Sequence, residues 1–146
     1  MTFYNRPSEL KMCIVENDEL LRDSMALFFR TKGCNVLAFG SAEEASPFLE
    51  ARPPDIVICD YGLPGMDGMK FLQRVGARHP AAVKILIGGR PGSLLGADAK
   101  RAGIDEVLPK PFSVDEIERA MDRRLPRIAG GLPANGAGRV SDEETA

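Results

Sequence analysis

Short apolar runs and longer amphipathic stretches alternate along the chain. The apolar runs lie at 11–15, 34–39, 55–59, 83–87 and 106–108. Between and after them, apolar residues recur at helical spacing, at 18–33, 41–52, 67–79, 93–103 and 113–125. Strands that are apolar throughout are typical of a parallel sheet covered on both faces. The alternation predicts βαβ units, and so an α/β fold with five strands and five helices.

The first two predicted helices carry distinct local signals. In the second, Ser41 and Glu44 have the spacing of a capping box, but Pro47 would remove a hydrogen bond of the helix. We expect a kink there, or a restart with Ser46 as N-cap and Pro47 in the first helical position. The first helix has a broad apolar face that we expect to belong to the core, formed by Leu20, Leu21, Met25, Leu27, Phe28 and Phe29.

Length and composition indicate one domain. The chain has 146 residues, and 44% hydrophobic content is enough to fill a single core of that size. We expect residues 1–10 to be an N-terminal extension, since they lack the long apolar stretch that a signal peptide or a membrane span requires. Residues 126–146 are rich in Gly, Ala and Pro without an apolar period, so we expect a disordered tail. The domain itself is predicted to cover 11–125.

Charge argues against nucleic-acid and membrane binding, and cysteine content indicates the cellular compartment. Nineteen Lys and Arg residues against 21 Asp and Glu residues give a net charge of −2, which provides no basic field for nucleic acid or an anionic membrane. Cys13, Cys34 and Cys59 lie in apolar runs without metal-ligand spacing, so we expect buried free thiols. Together these features favour a cytoplasmic protein.

Candidate chemistry lies directly after four of the predicted strands. Ligands of open parallel sheets bind at the carboxyl ends of the strands, near the point where the strand order reverses. We therefore expect one rim of the sheet to bring together the polar residues and glycines that follow strands, namely Glu16, Asn17, Asp18, Asp60, Gly88, Gly89 and Lys110.

Three segments of the sequence resemble the motifs of a known family. The stretches CIVENDELLR, ICDYGLPGMDG and VLPKPFSVDEI are similar to the acidic turn, the phosphoacceptor loop and the lysine–proline turn of response regulator receiver domains. The resemblance implies a flavodoxin-like, doubly wound sheet with strand order 2-1-3-4-5. It also implies a signalling domain of two-component systems and not an enzyme, with a histidine kinase or phosphotransfer protein as partner.

The resemblance assigns a role to each residue of the rim. Asp60 would accept the phosphoryl group, and Lys110 would place a positive charge on a phosphoryl oxygen, with a cis bond before Pro111. Weakly bound Mg²⁺ would be held by Glu16, Asn17, Asp60 and the carbonyl of Gly62. A carboxylate can hold a phosphoryl group when a cation and a positive side chain absorb the charge on its oxygens.

Three positions depart from the family pattern. Asn17 stands where receivers usually carry a second adjacent acid, which removes one ligand charge. Gly88 stands at the place of a Ser or Thr hydroxyl, although the backbone N–H groups of Gly88 and Gly89 could approach the phosphoryl oxygens instead. Val107 replaces a common aromatic residue that changes rotamer with the signal. Asp18, next to Asn17, is expected to cap the first helix.

Three other functions fit the sequence less well or differently: a docking module, a phosphatase and a flavin-binding protein. A degenerate receiver could dock a protein through the fourth helix, fifth strand and fifth helix without phosphorylation, and the three departures favour it. An aspartyl-nucleophile phosphatase would need an acid two residues after Asp60, where Gly62 stands. A flavin-binding fold is disfavoured because no hydroxyl-rich phosphate loop follows the first strand.

Overall fold

Five strands alternate with five helices in the computed structural model, which describes residues 10–88 and 95–129. The strands are β1 (Lys11–Val15), β2 (Asn35–Phe39), β3 (Ile56–Asp60), β4 (Val83–Ile87) and β5 (Glu106–Leu108). The helices are α1 (Glu19–Thr31), α2 (Ala42–Ala51), α3 (Gly68–Arg78), α4 (Leu95–Arg101) and α5 (Val114–Ala129).

All paired strands of the sheet are parallel, in the order β2-β1-β3-β4-β5. Alternate residues of each strand point to opposite faces of the sheet, so the apolar strands contribute side chains to a hydrophobic core on each face. One core packs Ile14, Ile58 and Ile85 against α1 and α5. The other packs Val57 and Leu86 against α2, α3 and α4. The predicted α/β fold and its strand order are confirmed.

Polar side chains fix the start of several helices. Asp18 accepts a hydrogen bond from the Leu21 amide and caps α1, as predicted. Asp67 caps α3 through the Lys70 amide. These caps satisfy backbone donors that the first helical turn leaves free. They also fix where the chain turns from the rim of the sheet into each helix.

The prediction that every apolar residue of α1 is core was wrong for two leucines. Leu20 is 77% exposed and Leu27 is 65% exposed, whereas Met25, Ala26 and Phe29 are buried. A helix that lies on a sheet buries one stripe of its surface, and residues seven apart share the same side of the helix. Leu20 and Leu27 therefore lie together on the outer side of α1.

The predicted restart within α2 does not occur. Ser41 caps a single helix that contains Pro47, and the Ser46 hydroxyl donates to the carbonyl of Ala42. Ser46 therefore bonds back into the preceding turn and does not cap a new helix. One lost backbone bond does not end a helix that packs Ala42, Ala45 and Leu49 into the core.

The last helix continues beyond the predicted domain end at residue 125. α5 extends through Ala129, so residues 126–129 are helical and were wrongly assigned to the tail. Pro126 lacks one backbone donor, yet the helix persists around it. The rest of the predicted tail, 130–146, and residues 1–9 of the extension lie outside the described residues. None of the described helices combines the length and the apolar character needed to cross a bilayer.

Candidate functional site

The carboxyl ends of the central strands bring the predicted site residues together. Glu16 directly follows β1, Asp60 ends β3, Gly88 follows β4, and Lys110 lies just beyond β5. Because β1, β3, β4 and β5 are consecutive parallel neighbours, these ends meet at one rim.

Lys110 lies between two buried carboxylates. Its Nζ is 2.9 Å from Oε1 of Glu16 and 3.4 Å from Oδ2 of Asp60. The Glu16 side chain is only 1% exposed and that of Asp60 is 10% exposed, while the Lys110 side chain is 34% exposed. A cis peptide bond joins Lys110 to the following Pro111, as the resemblance implied. The rim thus holds an ammonium group within direct reach of both acids.

Burial and charge shift the pKa values of two of these groups. Loss of solvent raises the pKa of Glu16 above its ordinary value, and the charge of Asp60 raises it further, although the Asp18 amide and Lys110 oppose the change. Burial lowers the pKa of Lys110, but its contact with Glu16 and the charge of Asp60 outweigh burial and raise it. Lys110 therefore remains a cation at neutral pH.

The acidic turn is held by the backbone and by α1. The Asp18 amide donates to Oε2 of Glu16 over 3.0 Å, and Arg22 donates from Nη1 to the Glu16 carbonyl over 3.0 Å. Arg22 lies in α1 and was not among the site residues that the sequence predicted. Its role was not evident from the sequence, because helical spacing gives no sign of a bond to the preceding turn. Arg22 fixes the backbone from which the Glu16 side chain projects.

Backbone hydrogen bonds hold the Asp60 carboxylate and the chain that follows it. The Gly62 amide donates to Oδ1 of Asp60 over 3.3 Å, and the Tyr61 amide donates to the Ile87 carbonyl over 2.8 Å. Gly68 packs so closely that a Cβ there would lie 2.0 Å from the Asp60 carbonyl oxygen. The chain therefore turns sharply after Asp60 and returns to touch it at the start of α3.

Gly88 lies against Asp60 in a conformation that favours glycine. Its φ is 103°, and a Cβ at this position would lie 2.9 Å from Oδ1 of Asp60. Its own amide donates to the Leu108 carbonyl over 2.9 Å. The Gly88 N–H that was expected to approach a phosphoryl group therefore already has an acceptor at the end of β5. Gly89, the second predicted phosphate-binding glycine, lies outside the described residues.

The remaining predicted positions lie around this centre. Asn17 is exposed beside the buried Glu16. Val107 is half-buried in β5 and packs against the core that α2, α3 and α4 cover. Behind the rim, Cys13 and Cys59 are buried free thiols, as predicted, and so is Cys34. Burial raises the pKa of Cys13 to about 12, so this thiol is inert at neutral pH.

The rim offers few ligands for the Mg²⁺ that the resemblance implies. Within residues 10–88 and 95–129, no three Asp, Glu, His or Cys side chains are grouped to hold a metal ion. Glu16 and Asp60 supply two carboxylates. Oε1 of Glu16 is buried and lies 2.9 Å from the Lys110 ammonium. Mg²⁺ typically takes one or two protein carboxylates plus phosphate and water, so these residues fit a weak site.

Curated relatives of this chain are bacterial transcriptional regulators. It is 30% identical over 112 residues to the DNA-binding transcriptional regulator NtrC of Klebsiella pneumoniae, which covers 77% of this chain and 24% of NtrC. It is 28% identical over 121 residues to the virulence transcriptional regulatory protein PhoP of Salmonella typhimurium, covering 83% of this chain and 54% of PhoP. The chain thus spans about a quarter to a half of these proteins.

Solved structures share the fold. A CheY-like response regulator receiver domain protein from Methanospirillum hungatei matches with a TM-score of 0.77 and 23% identity, covering 85% of this chain and all of that one. The receiver domain of an HD domain-containing protein from Pseudomonas fluorescens matches with a TM-score of 0.76 and 25% identity, covering 84% and 98%. The family model of the response regulator receiver domain matches residues 12–130. With Asp60, Lys110 and Glu16 joined at the rim of this sheet, the chain belongs to the receiver domain family of two-component response regulators.

Proposed function

We propose that this receiver accepts a phosphoryl group on Asp60 from a histidine kinase or a phosphotransfer protein in the cytoplasm. The observation that carries the proposal is the position of the Lys110 ammonium, 3.4 Å from Oδ2 of Asp60 and 2.9 Å from the buried Glu16. The Asp60 carboxylate is partly accessible at the rim, and the Lys110 ammonium lies next to it. This is the arrangement that phosphoryl transfer to a carboxylate requires.

The transfer forms a bond between a carboxylate oxygen of Asp60 and phosphorus, while the bond from phosphorus to the donor's imidazole nitrogen breaks. Lys110 balances charge on the phosphoryl oxygens, and Glu16 holds Lys110 in place. The Gly62 amide keeps the Asp60 carboxylate oriented through Oδ1. Mg²⁺, when held by Glu16, Asp60, the Gly62 carbonyl and the Asn17 side chain, would neutralise further charge on the phosphoryl group.

A phosphorylation-independent docking module is the second candidate. Two observations support it. The Gly88 amide already donates to the Leu108 carbonyl, and the described residues bring few acidic side chains together that could bind a metal ion. In this case the surface of α4, β5 and α5 would bind a downstream protein in either state of Asp60. The same surface would carry the output of a phosphorylated receiver, so the chemistry at Asp60 separates the two candidates.

Intact mass after incubation with acetyl phosphate and Mg²⁺ tests the proposal. We expect one phosphoryl adduct on the parent protein and none on an Asp60→Asn variant, since the amide cannot form the acyl phosphate. Peptide mapping should place the adduct on Asp60. An adduct on Glu16 or Asp18 would contradict the assignment of Asp60, and no adduct at any Mg²⁺ concentration would favour the docking module.

A further inference from the structure

The loop that follows Asp60 is held from a neighbouring helix. This loop, residues 61–67, runs from β3 to α3, and its far end is fixed where Gly68 packs against the Asp60 carbonyl. The part of the loop just before that end is contacted by α2. Oε2 of Glu43, in the first turn of α2, accepts a hydrogen bond from the Met66 amide over 3.3 Å.

Gly65 adapts the loop to this carboxylate. Its φ is 80°, and a Cβ there would lie 2.7 Å from Oε2 of Glu43. A side chain at this position would therefore be strained and would also push Glu43 away. The Glu43 carboxylate contacts the loop at two consecutive residues, Gly65 and Met66, which are 22 and 23 positions further along the chain.

The contact connects α2 with the phosphoacceptor. The same loop contains Gly62, whose amide is hydrogen-bonded to Oδ1 of Asp60. Between Gly62 and Gly65 the chain contains Pro64, which restricts backbone rotation. Fixing Gly65 and Met66 therefore limits where the Gly62 amide and carbonyl can lie relative to Asp60.

We propose that Glu43 is a positioning residue for Asp60, acting through the loop of residues 61–67. The inference rests on the proposed function, since its consequence is a correctly placed acceptor carboxylate. Without the Glu43 contact, Gly62 samples more positions, and arranging Asp60 for transfer costs more conformational entropy.

Two variants of Glu43 and one matched control test this role. Glu43→Ala removes the acceptor, whereas Glu43→Gln keeps an acceptor oxygen without the charge. Glu44→Ala is the control because Glu44 lies in the same helical turn but accepts from the Gly40 amide, in a different loop. Thermal midpoints of all variants show whether any change in rate merely follows a loss of stability.

We expect hydrogen exchange at the Met66 and Gly62 amides to be about tenfold faster in Glu43→Ala, which corresponds to about 1.4 kcal/mol. The rate constant for phosphorylation by acetyl phosphate should fall by a similar factor. Glu43→Gln should recover most of both, and Glu44→Ala should match the parent.

Two results would overturn the inference while leaving the proposed function intact. One is parent-like exchange at Gly62 in Glu43→Ala, and the other is faster exchange with an unchanged phosphorylation rate. A parent protein that accepts no phosphoryl group would overturn the proposed function instead. Exchange at Gly62 would still decide whether Glu43 holds the loop.

Discussion

Gly88 combines a φ of 103° with close approach to Asp60. We expect Gly88→Ala to destabilise the protein by roughly 1–3 kcal/mol, because a side chain is strained in the left-handed region and its Cβ would press on Oδ1 of Asp60. Urea unfolding measures the change.

Gly96 provides the matched control for this substitution. It lies in α4, and a Cβ there would meet nothing within 4 Å. Gly96→Ala should therefore stabilise the protein by about 0.5–1 kcal/mol, since alanine loses less entropy in a helix. Equal effects of the two substitutions would show that the conformation of Gly88 imposes no constraint. The same strain means that a hydroxyl cannot be introduced by Gly88→Thr without moving the backbone.

Asn17 is exposed at the rim beside Glu16, where a carboxylate would add a charged ligand. We expect Asn17→Asp to tighten Mg²⁺ binding by about tenfold, because the hard cation prefers anionic oxygen. Repulsion from Glu16 and Asp60 would partly offset this gain when no metal is present. Isothermal titration calorimetry compares the two proteins, and identical affinities would remove Asn17 from the metal site.

Among the elements, α1 has a buried stripe that includes Phe29 and an exposed side that includes two leucines, Leu20 and Leu27. Phe29→Ala should cost roughly 3–5 kcal/mol, because Phe29 is fully buried against the sheet. Leu27→Ala should change stability by no more than about 0.5 kcal/mol, since Leu27 is 65% exposed. Urea unfolding of both variants is the check. A large cost for Leu27→Ala would contradict the orientation of the helix.

The contact between β5 and α5 includes a charged cluster that should make stability depend on pH. The guanidinium groups of Arg123 and Arg124 lie 2.9 and 2.8 Å from the Glu106 carboxylate. Burial raises the pKa of Glu106, but the two arginines outweigh burial and hold it below its ordinary value of 4.5. A lowered pKa in the folded state stabilises above the ordinary pKa, and this gain is lost as pH falls through the lowered value.

We therefore expect Glu106→Gln to destabilise the protein at neutral pH and to have little effect well below pH 4.5. Because solvent screens the half-exposed arginines, we expect Glu106→Gln to lower the free energy of unfolding at neutral pH by about 1 kcal/mol. Urea unfolding across this pH range measures it, with Asp23→Asn on the exposed side of α1 as control. A cost that stays constant with pH would show that packing and not charge explains the effect.

At the scale of the whole molecule, the departures from the family pattern predict a weak switch. A ligand shifts a two-state equilibrium only by its differential affinity for the two states. The hydroxyl that receivers place at position 88 would contribute about 1.5–3 kcal/mol as a hydrogen bond to a charged group, and Gly88 forgoes it. Without that term the population shift falls by roughly one to two powers of ten.

Amide chemical shifts with and without beryllofluoride measure this switch. We expect only small changes across α4, β5 and α5, and none in an Asp60→Asn variant. Large changes across that surface in the parent protein would contradict the weak switch. The stiff Val107 would then have to transmit the signal without changing its rotamer, or another residue would have to do so.

The fold class could be predicted from the sequence alone, because continuous apolar strands between amphipathic helices allow few arrangements other than a parallel sheet covered on both faces. It also predicted that the carboxyl ends of the strands bring candidate residues to one rim, and Glu16, Asp60 and Lys110 do lie together there. The order of the strands came from the resemblance to receivers and not from periodicity.

The side chains that contact these groups could not be predicted from the sequence, because the contacts form between separate elements of the fold. The contact from Glu43 to Met66 spans 23 residues. The hydrogen bond from Arg22 runs from α1 back to the carbonyl of Glu16, which precedes the helix. The hydrogen bond from the Gly88 amide to the Leu108 carbonyl forms only because the chain after β4 lies beside β5. Local patterns record periodicity and caps, whereas such contacts depend on how separate elements pack. The exposure of Leu20 and Leu27 has the same cause, because the sheet covers only one side of α1.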